Sequence, residues 1–236
     1  MRIHLHELEE KMENDGKRRA FLKVLGLGSV SLGGAGYTLL AQTTVEPSKA
    51  KPHYGMIFDQ NKCVGCTSCE VACGKVNAVP EGQVRLYVEN KTDPETPMEK
   101  RYVRVSCQQC EDAPCVAVCP SQACHRDGKT GIVTMNPDDC IACKYCIVAC
   151  PYDVRFINEK TKAAENCNFC LNTNLAKGKE PGCVEACKYK ALVFGDLNDE
   201  NSYINQILHV KDSVRMKPTY GTKPSLRYIP IVKAGV

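Results

Sequence analysis

Sixteen of the seventeen cysteines in this 236-residue chain fall into four quartets, and every quartet closes with two cysteines separated by three residues. Cys63, Cys66, Cys69 and Cys73 form the first, and Cys140, Cys143, Cys146 and Cys150 the third; both have the spacing Cys-x2-Cys-x2-Cys-x3-Cys. In the second, Cys107, Cys110, Cys115 and Cys119, the middle gap is four residues, and in the fourth, Cys167, Cys170, Cys183 and Cys187, it is twelve. Only Cys124 stands outside the pattern. Thiols this dense and this regularly spaced require a fold built around whatever the sulfurs bind.

The spacing points to cubane iron–sulfur clusters. A cubane needs four thiolates at the corners of a tetrahedron, three from a tight loop and one from a distant segment, because a short loop cannot surround it. Two residues between ligands let the backbone curl over one face, and the Cys-x3-Cys step is a helical turn that carries the last cysteine to another cluster. Pro120 and Pro151 follow the last cysteines of the second and third quartets; proline fixes the turn there and has no amide donor to lose. A zinc site uses two cysteine pairs and has no role for a third cysteine two residues further on. Disulfides fit poorly too, since cysteines this close in sequence are awkward partners and a chain of this length can hold a core without so many staples.

Composition agrees. With no Trp and 6% aromatic residues, a conventional core is scarce, so inorganic cores would have to substitute and the apo chain should be largely unfolded. The formal charge of +4 comes from 31 Lys and Arg dispersed among 27 Asp and Glu without a basic stripe, which argues against nucleic acid as a partner. Four oxidised cubanes, each a 2+ core held by four thiolates, would add about −8 and make the loaded protein acidic.

The N-terminal segment reads as an address. Lys17-Arg18-Arg19-Ala20-Phe21-Leu22-Lys23 precedes an uncharged stretch, 24–41, diluted by Gly26, Gly28, Gly33, Gly34 and Gly36. This resembles a twin-arginine export signal with Arg18 and Arg19 as its pair, and is less apolar than a membrane anchor of about 20 residues. Lys17 departs from the Ser or Thr usual before the arginines. The reading implies a periplasmic protein exported already folded, its thiols occupied by iron before they meet an oxidant. Cleavage after Ala41 or Ala50 and retention as an anchor are both left open.

Beyond residue 50 the chain repeats itself. Met56-Ile57-Phe58-Asp59 leads into the first quartet and Val133-Thr134-Met135-Asn136 into the third, an offset of 77 residues from Cys63 to Cys140. Residues 114–119 and 182–187 match likewise around the second and fourth. The expected fold is α+β, with two nested bacterial-ferredoxin-like dicluster modules, an inserted β-hairpin and an irregular C-terminal tail. Its divisions are 1–50, export signal and linker; 51–106, first quartet and hairpin; 107–150, the inner module; 151–195, the fourth quartet completing the outer module; and 196–236, a C-terminal extension.

Nesting predicts the wiring. Cys63, Cys66, Cys69 and Cys187 would hold cluster 1, and Cys73, Cys167, Cys170 and Cys183 cluster 2. Cys107, Cys110, Cys115 and Cys150 would hold cluster 3, and Cys119, Cys140, Cys143 and Cys146 cluster 4. Pairing the first quartet with the second is the competing scheme. Alternation of Val84, Leu86 and Val88, answered around Val103 and Val105, predicts the hairpin. Ile204–Val210 reads as a short helix ahead of a basic tail acting as solvated cover. Cys124 and His125 are taken as structural, and His53 as a surface residue.

The signal, the four quartets and the stretch Cys146-Ile147-Val148-Ala149-Cys150-Pro151-Tyr152-Asp153-Val154-Arg155-Phe156-Ile157 resemble the iron–sulfur subunits of the dimethyl-sulfoxide-reductase family. Val76–Gly82, Ser106–Cys110 and Gly221–Pro224 are most similar, within that family, to the iron–sulfur subunits of formate-dependent nitrite reductases. Lys188 and Gly74 depart from the proline and other residues common after the last ligands. The resemblance implies four 4Fe-4S clusters and a relay role between an integral-membrane quinol-oxidising subunit and a periplasmic terminal reductase, a multihaem cytochrome in nitrite reduction. The alternative it leaves is a molybdopterin subunit reducing tetrathionate, polysulfide or a sulfoxide. From another class, a structural zinc-binding adaptor stays open. No catalytic constellation is present: His4, His6, His53, His125 and His209 are scattered, and no Gly-rich nucleotide loop follows a predicted strand, so the chain reads as a non-catalytic subunit.

Overall fold

The computed structural model describes residues 51–92, 94–96 and 100–232. Arg18 and Arg19, with the export-signal reading they carry, lie outside the described residues. Among those residues no helix is long and apolar enough to cross a membrane. The strands in chain order are Tyr54–Asp59 (β1), Leu86–Asn90 (β2), Tyr102–Ser106 (β3), Cys124–Arg126 (β4), Val133–Met135 (β5), Phe156–Ile157 (β6), Ala164–Glu165 (β7), Leu192–Asp196 (β8) and Leu226–Ile229 (β9). The helices are Ser68–Val76 (α1), Pro114–Ala117 (α2), Tyr145–Val148 (α3), Gly182–Glu185 (α4) and Tyr203–Val210 (α5).

β1 is the central strand of a three-stranded sheet, with β8 antiparallel on one side and β9 parallel on the other. Met56 and Ile57 are both 0% exposed, because the strand is covered on both faces and so reads as a continuous apolar run instead of alternating. Met56 and Phe58 face the main core with Leu192, Leu226 and Tyr228. Ile57 faces the other way, against Ile204, Ile229 and the partly buried Ile207 and Leu208 of α5. Ser202 caps that helix, its side-chain oxygen accepting the Asn205 amide at 3.4 Å. Gly195 lets the helix close on the sheet: a Cβ there would sit 2.8 Å from Ile204 Cγ2.

The other strands form two-stranded pairs. β2 pairs antiparallel with β3, Leu86 opposite Ser106 and Asn90 opposite Tyr102; β4 pairs with β5 and β6 with β7 in the same sense. The helices belong to the quartets. α1 carries Cys69 and Cys73, while α2, α3 and α4 are single turns that carry Cys115, Cys146 and Cys183 and end just before Cys119, Cys150 and Cys187. Pro114 opens α2 at a position where a missing amide costs nothing.

Two expectations are corrected here. The C-terminal segment is not irregular cover: Leu226, Tyr228 and Ile229 are buried in β9. The Tyr228 hydroxyl donates to the Arg104 carbonyl at 2.9 Å and accepts from Gln108 Nε2 at 3.0 Å. Upstream, the Glu111 amide donates to the Lys223 carbonyl at 3.0 Å, and Thr222 Oγ1 lies 2.6 Å from the Tyr152 hydroxyl. Four residues are too few to show a strand period, and the partner β1 lies at the opposite end of the folded chain, so no local signal marks the pairing. His53, expected on the surface, is half-buried, with Nε2 2.8 Å from Ser225 Oγ of the same segment.

This segment therefore stabilises the fold. Leu226 is 0% exposed, and Leu226→Ala should cost about 3 kcal/mol. In the cluster-loaded protein the thermal midpoint read by circular dichroism should fall by several degrees, and an unchanged midpoint would show the strand to be dispensable.

Candidate metal centres

All seventeen cysteines lie among the described residues and stand as free thiols. Cys63, Cys66, Cys69 and Cys187 line one cavity, together with Phe58 and Leu192 of the main core. Cys107, Cys110, Cys115 and Cys150 line a second, with Arg155 in its wall. Around Cys73, the sulfurs of Cys167, Cys183 and Cys170 are near enough for their charges to act on it. Cys119 and Cys140 pack against the apolar cluster that contains Cys115 and Cys146, while Cys143 is exposed on the loop between Cys140 and Cys146. No three described His, Cys, Asp or Glu side chains are gathered as they would be around a single metal ion.

The loops share a backbone device. The residue just before the second cysteine of every quartet is left-handed: Gly65 at φ 72°, Gln109 at 49°, Ala142 at 54° and Phe169 at 52°. Right- and left-handed residues in succession turn neighbouring amides to one side and build an anion-binding concavity. Only the first loop uses glycine, and there the space is closed as well, since a Cβ on Gly65 would lie 2.4 Å from the Tyr102 ring. At the other three positions the left-handed conformation costs about 1–2 kcal/mol each, a local strain that the loop contacts must offset. Gln109 illustrates how, because its buried amide donates to the Val133 and Cys167 carbonyls at 3.0 and 2.7 Å and accepts the Val133 amide at 2.7 Å.

Donors also reach the sulfurs themselves. Asn77 Nδ2 lies 3.4 Å from Cys170 Sγ and 3.6 Å from Cys73 Sγ. Asn166 Nδ2 lies 3.6 Å from Cys107 Sγ and donates to the Cys167 carbonyl at 2.9 Å, so one side chain touches two groups. The amides of Cys124, Ala164 and Ala191 point at Cys119, Cys140 and Cys187 Sγ at 3.3, 3.4 and 3.3 Å. Cys124 is otherwise enclosed at 1% exposure, and its thiol hydrogen bond is the leading cause that pulls the Cys115 thiol down.

Most of the buried thiols are pushed the other way. Burial raises Cys69 and Cys110 to about 11 and Cys183 to about 12, and drives Cys73 and Cys107 up as well. On their own these groups would be neutral at pH 7. As thiolate ligands they need the positive charge of bound metal, which inverts the local logic.

Arg155 tests whether an anionic cofactor fits. It is 5% exposed, and none of its three guanidinium nitrogens finds an oxygen or nitrogen acceptor among the described residues; its side chain reaches the Cys115 and Cys146 sulfurs instead. The groups whose charges act on it are Cys115, Cys124, Cys107 and Cys146. A desolvated, unpaired cation costs several kcal/mol; neutral thiols cannot offset that, whereas cubanes of net charge 2− would. The residues present therefore fit 4Fe-4S clusters.

Sequence reasoning missed most of this supporting shell. Arg155 and Asn77 stand out in the sequence only as parts of motifs, Arg104 only as a polar position of the expected hairpin, and Asn166 and Tyr228 not at all. Asn77 lies one helical turn beyond Cys73, a spacing that could have flagged it. Arg104 has no such signal.

Loops turned by a left-handed residue, sulfurs in groups and a helix turn behind each define a ferredoxin-like 4Fe-4S protein of mixed helix and strand. Comparison with known proteins agrees. A 4Fe-4S dicluster domain is matched over residues 98–197. Protein NrfC of Escherichia coli is 48% identical over 90% of this chain and 95% of its own length. The B subunit of the polysulfide reductase of Wolinella succinogenes is 45% identical over 78% of this chain and 97% of its own, and the thiosulfate reductase electron transfer subunit PhsB of Salmonella typhi 47% over 62% and 77%. The chain belongs to this family of iron–sulfur electron-transfer subunits.

Proposed function

We propose that the chain is a periplasmic relay subunit carrying four 4Fe-4S clusters, passing electrons from a quinol-oxidising membrane subunit to a terminal reductase, here in nitrite reduction. When bound, each cluster accepts and releases one electron at a time and, with cysteine on every iron, has no open site for substrate. Cys63, Cys66, Cys69 and Cys187 hold the first, Cys73, Cys167, Cys170 and Cys183 the second, Cys107, Cys110, Cys115 and Cys150 the third, and Cys119, Cys140, Cys143 and Cys146 the fourth. Residues 107–150 form an inner ferredoxin unit nested in an outer one.

The observation that carries the reading is the company kept by the last cysteines, Cys187 lining a cavity with the first quartet and Cys150 one with the second. The groups also adjoin in a row. Beyond the effects of burial and of the nearby arginines, the Cys69 sulfur acts on Cys183, Cys167 on Cys107 and Cys115 on Cys146, which supports an order of the sites from one to four. Phe58 lines the first site and Val133 the third, apolar walls that limit the access of water to the sulfurs.

Reconstitution tests it. The purified protein combined with its native membrane partner should show clusters reduced by quinol, and no reduction would refute the direction. A second reading is supported by the 45% identity to the polysulfide reductase subunit: the same relay serving a molybdopterin subunit. The native complex isolated from the periplasmic side of the membrane decides between them, a multihaem cytochrome upholding nitrite reduction and a molybdopterin subunit displacing it. The address carried by Arg18 and Arg19 fails if the full-length protein fractionates with the cytoplasm.

A further inference from the structure

Two arginines are buried among the sulfurs. Arg104, on β3, is 0% exposed; one nitrogen donates to Ser106 Oγ, another lies 4.0 Å from Cys167 Sγ, and Nε has no partner among the described residues. Arg155, ahead of β6, finds no oxygen or nitrogen acceptor among them and reaches only toward sulfur, at Cys115 and Cys146. No described carboxylate forms an ion pair with either, although other arginines here do find acids, as Arg85 finds Glu165.

The sulfurs whose charges act on Arg104 are those of Cys183, Cys167 and Cys69, with Cys167 Sγ 4.0 Å away. Those that act on Arg155 belong to Cys115, Cys124, Cys107 and Cys146, and Arg155 shares a cavity wall with Cys107, Cys110, Cys115 and Cys150. Each guanidinium is thus within reach of sulfurs from two of the proposed sites.

We propose that Arg155 is the shared counter-cation of the third and fourth cluster sites and raises the reduction potential of both, with Arg104 in the same role between the first and second. The inference rests on the cysteine grouping above. A side chain placed for shape alone would have its donors satisfied, since an unpaired buried charge is among the costliest features a fold can carry. Two cluster sites of net 2− within reach supply the missing charge. A fixed positive charge favours a site by more once an electron has been added, so it stabilises the reduced state over the oxidised one. Arginine suits the task because its guanidinium stays charged when buried and offers several donors; a lysine beside two anionic clusters would be held protonated by them and so keeps the charge with fewer donors.

The size follows from Coulomb's law. A unit charge roughly 10 Å from a cluster, in a medium of effective dielectric constant about 20, changes the reduced-to-oxidised ratio at fixed potential by about tenfold. Tenfold corresponds to about 59 mV for a one-electron couple.

Anaerobic redox titration of the full cluster-loaded protein, followed by electron paramagnetic resonance with iron content measured in parallel, tests this. Arg155→Gln and Arg155→Met should load all clusters and move two of the four midpoints down by about that amount, with Arg155→Lys close to the parent. Should the neutral variants instead lose the two signals while Arg155→Lys keeps them, the charge is what the sites require and the proposal stands. Unmoved midpoints in a fully loaded neutral variant would overturn it, and so would equal loss of clusters in Arg155→Lys, which would mark a role for shape alone. The two signals are identified independently, as those altered by Cys107→Ala and by Cys143→Ala; if those assignments regroup the cysteines, the wiring fails whatever Arg155 does.

Discussion

Removing iron with a chelator under reducing, oxygen-free conditions is expected to abolish the cooperative unfolding transition of this protein. The helices behind the second, third and fourth quartets, α2, α3 and α4, have four residues each, and β6 and β7 have two. Isolated segments that short do not hold their shape in water. What locks them is sulfur. Cys73, Cys107, Cys167 and Cys183 belong to the main core, and Cys115, Cys124 and Cys146 make up most of the second one. Without metal these cores keep buried thiols and an unpaired Arg155, and lose the links that join one loop to another. Metal binding of this kind is worth on the order of ten kcal/mol, comparable to the whole stability of an ordinary domain.

Near-ultraviolet circular dichroism and a thermal scan before and after chelation give the readout. Loss of the near-ultraviolet signal and of the transition is the expected result; an apo protein melting as the loaded one does would defeat the idea that the clusters are the core. One region should resist longest. The face of β1 that packs on α5 is built from Ile57, Ile204 and Ile229 without any cysteine, so amide exchange there should rise last.

The second large effect concerns wiring. Cys150→Ala and Cys107→Ala should alter the same paramagnetic signal, and Cys143→Ala a different one, with iron content falling in each. The prediction follows from the cavity that Cys150 shares with Cys107, Cys110 and Cys115, away from the rest of its own quartet. The geometry behind it is simple. The Cys-x3-Cys step spans a helical turn, and α3 carries Cys146 while Cys150 lies beyond its end and lines the cavity of the second quartet. If Cys150→Ala and Cys143→Ala altered one and the same signal, each loop would keep its own four ligands and the nested arrangement would be wrong.

Much of the site was legible because its information is local. Cys63, Cys66 and Cys69 announce a loop around a cluster by spacing alone, and the apolar run Met56-Ile57-Phe58 announces the strand ahead of it. The Cys-x3-Cys steps announced the helical turns, which are present at all four quartets. Ile204–Val210, read as a short helix, lies within α5, Tyr203–Val210. Harder to see were contacts made across the chain. β9 shows only Leu226-Arg227-Tyr228-Ile229, a stretch that could as well be a loop until β1 lies beside it. The left-handed residues at Gln109, Ala142 and Phe169 were hidden for another reason: none is a glycine, so no residue preference advertises them.

Cysteine count and spacing by themselves pointed to the 4Fe-4S cofactors, because ligand spacing along a short loop is a property of neighbouring residues, and the quartets together with the stretch from Cys146 to Ile157 carried the resemblance to a family of iron–sulfur subunits. Only the tertiary structure decided which distant groups stand beside the sulfurs. It set Arg104 and Arg155 among them, brought Asn166 between two groups, and laid the C-terminal strand against β1. These are non-local placements, fixed by how separate segments close around a shared core, and no pattern within a single segment encodes them.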